Sequence, residues 1–266
     1  MTTAAPVTGT RRVEDVWGTV IGVDVRQPVD TELIDDVFTW FDRVDDLFST
    51  WRDDSEIIRL GRGELAPCDT SPEVQEVLAL SDALMWESRG AFDIGFAADA
   101  RVQHRPGFAP IDPSGLVKGW ALERAARTLE AAGIANFSIN AGGDVLTRGR
   151  PEPHRLWRVG IQHPTQRAAA AAVIAGTDLA VATSGRYERG DHVIDPRTGM
   201  PAQGLVSVTV VADDLGRADA YATAALVLGE DAMEWLVTRP GVEAMVITGA
   251  DEIVYTTEFP FEEDEA

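Results

Sequence analysis

The sequence predicts an α+β fold, a single compact unit of mainly antiparallel strands with clustered helices. Three observations predict it. Strand-like segments crowd the second half without alternating with helices, the helical patterns come in groups, and no Pro/Gly/Ser linker divides the 266 residues.

The first strand is expected over residues 17–26, where Val20, Gly22 and Asp24 alternate with Thr19, Ile21, Val23 and Val25. A helix is expected over 31–48, because Leu33, Ile34, Val37, Phe38, Phe41, Val44 and Phe48 recur at spacings of three and four behind Asp30 as N-cap. Ser71-Pro72 opens a second helix in the favoured cap and first positions, and Gly90 closes it. A third helix is expected over 116–132, ending at Gly133 and leading into a short strand over 136–140. Further strands are expected at 157–162, 171–175, 192–194, 205–212, 244–248 and 253–257, with helices at 218–228 and 231–238 separated by Gly229. The expected domain spans 13–260, flanked by a flexible segment, 1–12, and an acidic tail, 261–266.

With 45% hydrophobic residues the chain can bury a sizeable core. Its 44 acidic against 23 basic side chains, a formal charge of −21, would repel a phosphate backbone, so nucleic acid is not an expected partner. No apolar run approaches the roughly 20 residues of a membrane span, and no h-region follows Arg11 and Arg12, so neither an anchor nor a secretory leader is expected. One cysteine, Cys68, excludes an internal disulfide. The expected compartment is cytoplasmic.

Four constellations place glycines and polar groups where a simple core wants neither. Ala91-Phe92-Asp93 sets a carboxylate on a tight turn beside an aromatic, which suits a flat heterocycle if the ring is exposed; a capping Asp with a core Phe is the simpler account of the segment alone. Residues 112–119 put Asp112, Gly115 and Lys118 at a glycine-containing helix opening that suits phosphate. The spacing is not that of a Walker loop, and an ordinary loop-to-helix junction explains it as well. Asn140-Ala141-Gly142-Gly143-Asp144 is either a tight strand-end turn or a ligand cradle. The fourth constellation combines Ala182-Thr183-Ser184-Gly185, residues 192–199, and Asp219 with Thr223. Four positions apart on a helix, Asp219 and Thr223 share a face. One carboxylate and one hydroxyl form a sparse hard-oxygen set of the kind Mg²⁺ completes with phosphate oxygens and water. A lone D-x-x-x-T is more simply a first-turn Asp with a packed Thr. His192 has a side chain whose ordinary pKa suits a general base, although a lone strand histidine is commonly structural.

Taken in order, these segments resemble the FAD:protein FMN transferase family (the ApbE family). The matching stretches are Trp17-Gly18-Thr19, Leu47-Phe48-Ser49-Thr50-Trp51 with Asp54-Ser55-Glu56, Ala91-Phe92-Asp93, residues 112–119 and 140–144, Ser184-Gly185-Arg186-Tyr187-Glu188, and residues 192–199 and 218–223. The resemblance runs from about Trp17 to Phe259. The resemblance implies a T-fold-like core with a smaller helical and strand lobe. It implies FAD as substrate, with the isoalloxazine near Ala91, Phe92, Asp93, Trp17 and Trp51, the nucleotide near Asp112 and Lys118, and a further flavin contact at Ile194. It also implies Mg²⁺ on the Gly115 carbonyl and the side chains of Asp219 and Thr223, and His192 as the base that activates an acceptor hydroxyl. Two departures stand out: Trp17 replaces a methionine common before Gly-Thr, and Gly115 occupies a position that is often Ala or Thr.

The implied reaction moves FMN from FAD onto a Ser or Thr hydroxyl of an acceptor flavoprotein and releases AMP. The alternatives are an FAD pyrophosphatase that yields FMN and AMP, and a non-catalytic FAD-binding protein.

Overall fold

The first hairpin begins before the expected strand. Thr10–Val16 (β1) pairs antiparallel with Thr19–Val25 (β2), Val16 opposite Thr19 and Thr10 opposite Val25. The computed structural model describes residues 9–96, 111–166, 169–186 and 193–262. Thr10, Arg11 and Arg12 are therefore paired strand residues, not part of a flexible segment. The charges of this strand, Arg11, Arg12, Glu14 and Asp15, belong to a sheet edge, where charge is tolerated because one face and one edge meet water. That pattern reads as a polar loop in the bare sequence.

Five helical expectations hold, with shifted ends. Thr31–Phe48 (α1) runs over the predicted residues, and Asp30 accepts from the Glu32 N–H at 3.1 Å. Glu56–Gly61 (α2) is a short helix that the sequence pattern did not indicate. Pro72–Glu87 (α3) follows Ser71, whose hydroxyl accepts from the Val74 N–H. Ser114–Ala131 (α4), Leu215–Leu228 (α5) and Ala232–Leu236 (α6) complete the set. No helix among the described residues is long and apolar enough to cross a membrane.

The remaining strands are Phe137–Ala141 (β3), Asp144–Arg148 (β4), Trp157–Gln162 (β5), Ala170–Gly176 (β6), Ala180–Gly185 (β7), Ile194–Asp195 (β8), Met200–Pro201 (β9), Leu205–Ala212 (β10), Glu243–Thr248 (β11) and Ile253–Tyr255 (β12). Among the described residues, eight of the twelve strands form one sheet in the order β1-β2-β3-β4-β7-β10-β11-β12, antiparallel at every step. This is the α+β architecture expected.

Both faces of the sheet's centre are covered. On one side the helices bury Phe41, Leu122, Leu129, Phe137, Ile139 and Leu215 with many others in the main core. On the other, the β5–β6 hairpin packs Val159, Ile161 and Ile174 against Val181, Val211, Met245 and Ile247. Strand β10, buried on both sides along most of its length, is accordingly a near-continuous apolar run. Residues 261 and 262, expected in the acidic tail, are held to the β5–β6 hairpin. Phe261 bridges to Ile174, the Glu262 N–H donates to the Val173 carbonyl at 2.8 Å, and Arg158 pairs with Glu262.

Candidate active site

Helices α4 and α5 cross at two glycines. A Cβ on Gly119 would lie 2.3 Å from the Leu215 carbonyl oxygen and 2.8 Å from Asp219 Cβ, and one on Gly216 would lie 3.1 Å from Trp120 Cα. Only hydrogen at these positions lets the backbones approach so closely. The approach places Asp219, 4% exposed, over the first turns of α4. Its Oδ2 accepts the Gly119 N–H at 3.0 Å. In a regular helix that amide faces the Gly115 carbonyl, whose oxygen in any case carries a second lone pair.

Lys118 joins this carboxylate to a second one. Its Nζ lies 3.6 Å from Asp219 Oδ1 and forms an ion pair with Asp144, which is 1% exposed. Asp144 Oδ1 also accepts the Thr183 N–H at 3.1 Å. Two buried carboxylates therefore share one ammonium, leaving one surplus negative charge when both are ionised. Burial raises the Asp219 pKa to about 7, opposed by the Lys118 charge and reinforced by that of Asp144.

One turn along α5, Thr223 Oγ1 is 3.1 Å from Ser184 Oγ on β7. A Cβ on Gly115 would sit 3.3 Å from both Thr223 Oγ1 and Phe92 Cε2. The fold thus gathers Gly115, Lys118, Asp219 and Thr223 at one end of the sheet. The donor set, one or two carboxylates, a hydroxyl and a carbonyl around uncompensated negative charge, fits a hard divalent cation. Among the described residues no group of three or more His, Cys, Asp or Glu is placed to hold a metal. A cation here would have to complete its shell from a ligand and water.

The positions matched to flavin divide. Trp17 and Gly18 form the β1–β2 turn with φ +55 and +72, positive at both positions as a tight hairpin turn requires. Trp17 holds this left-handed backbone without being glycine. Its Nε1 donates to the Phe41 carbonyl at 3.0 Å, and its ring meets Phe41 edge-on at 5.5 Å. Thr19, two residues on, abuts the β3–β4 turn: a Cβ on Gly142 would be 2.8 Å from its hydroxyl. Within Asn140 through Asp144, Gly142 and Gly143 form the β3–β4 turn, with φ +58 and +100.

The expectation of an exposed aromatic at Phe92 is corrected. The ring is 4% exposed because it packs in the main core against Gly115, while the Phe92 N–H donates to Ser88 Oγ at 2.9 Å. Asp93 Oδ1 accepts the Gly95 N–H at 2.8 Å. Asp112 draws this segment to α4, its N–H donating to the Ile94 carbonyl at 2.7 Å and its Oδ1 accepting from Ser114 N–H at 3.1 Å. Ala91 lies in a small cluster with Ala202 and Val227, against which Val193 packs. Ile194 is half-buried beside it on β8. Trp51 is 69% exposed, past the C-cap of α1. His192 lies outside the described residues.

Three participants were not singled out from the sequence as site residues: Asp144, Ser184 and Gly119. Asp144 had one signal, a carboxylate straight after paired glycines. Gly119 and Ser184 lay within residues 112–119 and Ala182-Thr183-Ser184-Gly185, without a role of their own.

A family model described as the ApbE family matches residues 17–104 and 97–246. The FAD:protein FMN transferase of Salmonella typhimurium is 30% identical over 297 residues, covering 92% of this chain and 84% of that protein. That of Escherichia coli is 29% identical over 279 residues, covering 85% and 79%. Among solved structures, the flavin transferase ApbE from Vibrio cholerae superposes with a TM-score of 0.85 at 23% identity, covering 97% of this chain and all of that one, 100%. The ApbE protein from Thermotoga maritima gives 0.82 at 24%, with coverage of 97% and 100%. At these identities the structural likeness speaks for the fold.

Proposed function

We propose, from the premise that the chain belongs to the ApbE family, that it is a magnesium-dependent transferase moving FMN from FAD onto a Ser or Thr hydroxyl of an acceptor protein, with release of AMP. The observation that carries this reading is the α4–α5 crossing, where buried Asp219 and Asp144 share the single ammonium of Lys118 beside Thr223. A buried site with surplus negative charge and few protein oxygens favours a cation that brings a phosphate-bearing ligand with it.

In this reading Asp219, Thr223 and the Gly115 carbonyl would hold magnesium, which when bound supplies Lewis-acid neutralisation of charge on the diphosphate oxygens. Lys118 contributes a fixed positive charge next to the same oxygens, and Asp144 orients that ammonium. The Gly119 N–H holds the Asp219 carboxylate in one rotamer. The acceptor oxygen bonds to the phosphorus nearer riboflavin while the bond from that phosphorus to the AMP oxygen breaks. His192 takes the hydroxyl proton. Chemistry of this kind rests on positioning and electrostatics.

The test is incubation of the purified protein with FAD, Mg²⁺ and a candidate acceptor, read by the gain of one FMN mass on the acceptor and by AMP release. Asp219→Ala should abolish magnesium-dependent transfer. Substantial residual transfer in that variant sinks the metal assignment. Rapid AMP release without acceptor would reassign the reaction to hydrolysis, and FAD binding with no AMP release under any condition would make the protein a flavin carrier.

A further inference from the structure

The far end of the α4–α5 crossing is held by Glu123, a buried carboxylate that takes no step in the reaction above. It is 5% exposed. Its Oε2 accepts the Leu215 N–H at 3.0 Å, and its Oε1 accepts from Arg148 Nη2 at 2.8 Å. A second guanidinium nitrogen, Arg127 Nε, is 3.9 Å away. Leu215 is the first residue of α5, so its N–H has no partner within its own helix. Asp214 caps the same end, but its Oδ1 accepts the Arg217 N–H at 2.9 Å and its Oδ2 accepts from Arg127. Glu123 therefore reaches across from α4 to a donor that the local cap leaves open.

This contact continues a ladder that leads to the proposed diphosphate site. Gly115, Gly119 and Glu123 are four apart and share one face of α4; Thr223, Asp219 and Leu215 share one face of α5 in the opposite order. They meet pairwise. A Cβ on Gly115 would be 3.3 Å from Thr223, the Gly119 N–H donates to Asp219 at 3.0 Å, and Glu123 takes the Leu215 N–H. The Leu215 backbone is fixed on both sides, by Glu123 at its N–H and by the close approach of its carbonyl to Gly119. In a regular helix that same carbonyl accepts the Asp219 N–H, and Asp219 lies one turn, about 6 Å, further along the axis. A shift of Leu215 on α4 is thus a shift of Asp219, with no flexible joint between them. Packing by itself does not call for a carboxylate here. An apolar side chain would fill the space without the desolvation cost that pushes the Glu123 pKa up. What it could not supply is an acceptor for Leu215.

We propose that Glu123 is a positioning residue for the diphosphate site: by accepting the Leu215 N–H it fixes where the first turn of α5 sits on α4, and so holds the Asp219 carboxylate at Gly119. The inference rests on the transferase reading above and extends it to a side chain that touches no substrate. The test compares two double variants of the full chain, Glu123→Gln/Arg148→Met and Glu123→Met/Arg148→Met. Each removes the ion pair as a unit, so neither leaves a buried charge without its partner, and Glu130, which Arg148 also holds, keeps 42% of its side-chain exposure and meets water. Only the glutamine variant retains an oxygen for the Leu215 N–H. The readouts are hydrogen exchange of the Gly119 amide in magnesium-free protein, the Mg²⁺ concentration for half-maximal AMP release, and the KM for acceptor. The glutamine variant should stay within about threefold of the parent in all three. The methionine variant should exchange the Gly119 amide about tenfold or more faster and need about tenfold more Mg²⁺, with the KM for acceptor unchanged. Equal behaviour of the two variants overturns the proposal. So does a methionine variant that fails to fold while the glutamine variant folds, which would make Glu123 a folding residue. Should neither double variant fold, Glu123→Gln and Glu123→Met alone repeat the comparison, because Arg148 then keeps its 2.8 Å bond to Glu130. A parent protein without magnesium-dependent AMP release would instead remove the transferase reading, and Gly119 exchange would still decide whether Glu123 holds the crossing.

Discussion

Replacing Gly119 with alanine isolates the contact on which the site's geometry depends. The new methyl carbon would be 2.3 Å from a backbone oxygen, that of Leu215, and 2.8 Å from Asp219 Cβ. Ordinary contact begins at 3.4 Å. The helices would therefore part by roughly 1 Å, since a backbone carbonyl has no rotamer with which to yield. Overpacking of this kind costs about 1–3 kcal/mol, and the obstacle being main chain puts this case at the upper end. The better helix propensity of alanine returns about 1 kcal/mol. The net loss is about 2 kcal/mol, equivalent to a fall in Tm of roughly 4–8 °C for a chain of this size. The same displacement pulls Asp219 from its Gly119 N–H, and a misplacement of about 1 Å at a reacting centre costs on the order of 100-fold in rate. Calorimetric melting and AMP release with acceptor present measure the two effects. Gly22→Ala is the control, because its Cβ would sit 3.7 Å from a Val13 methyl, within ordinary contact. A Gly119→Ala protein that melts within about 1 °C of the parent and turns over at the parent's rate refutes the close-crossing argument.

Lys118→Met should leave Asp144 and Asp219 as buried carboxylates with no shared cation, costing about 3 kcal/mol, the lower end for a broken buried pair because Lys118 keeps 30% of its side-chain exposure. Adding Asp144→Asn should recover part of that loss in urea unfolding, and strictly additive effects would show the two do not interact. Glu123 is buried beside Arg148 and accepts the Leu215 N–H at 3.0 Å, and burial raises its pKa. A carboxyl whose folded pKa exceeds its unfolded value contributes stability below the unfolded pKa and loses it as pH rises through the folded one. The stability of the parent relative to Glu123→Gln should therefore fall as pH rises above the ordinary glutamate value of about 4.3, and a difference that grows with pH would mean the Arg148 pair outweighs desolvation. His192→Ala should lower the transfer rate far more than FAD affinity; equal losses in both would assign His192 a structural role.

What the sequence determined by itself is local in origin. Helix α1 and strands β5 and β10 were legible because amphipathic or apolar periodicity is written within each segment, and Asp219 and Thr223 share a face because of helical periodicity alone. Motif order was legible too, and with it the family. Tertiary structure decided the rest. β1 was hidden by the charges of an edge strand, and β4 and β7 by their brevity and small residues. Phe92 became core, and Trp51 stayed in solvent, through packing that no neighbouring residue specifies. The Asp144–Lys118–Asp219 cluster exists only where α4 meets α5, with Gly119 and Asp219 bonded across 100 positions of chain. Burial, not residue type, raises the Asp219 pKa, because the cost of desolvating a charge depends on everything packed around it.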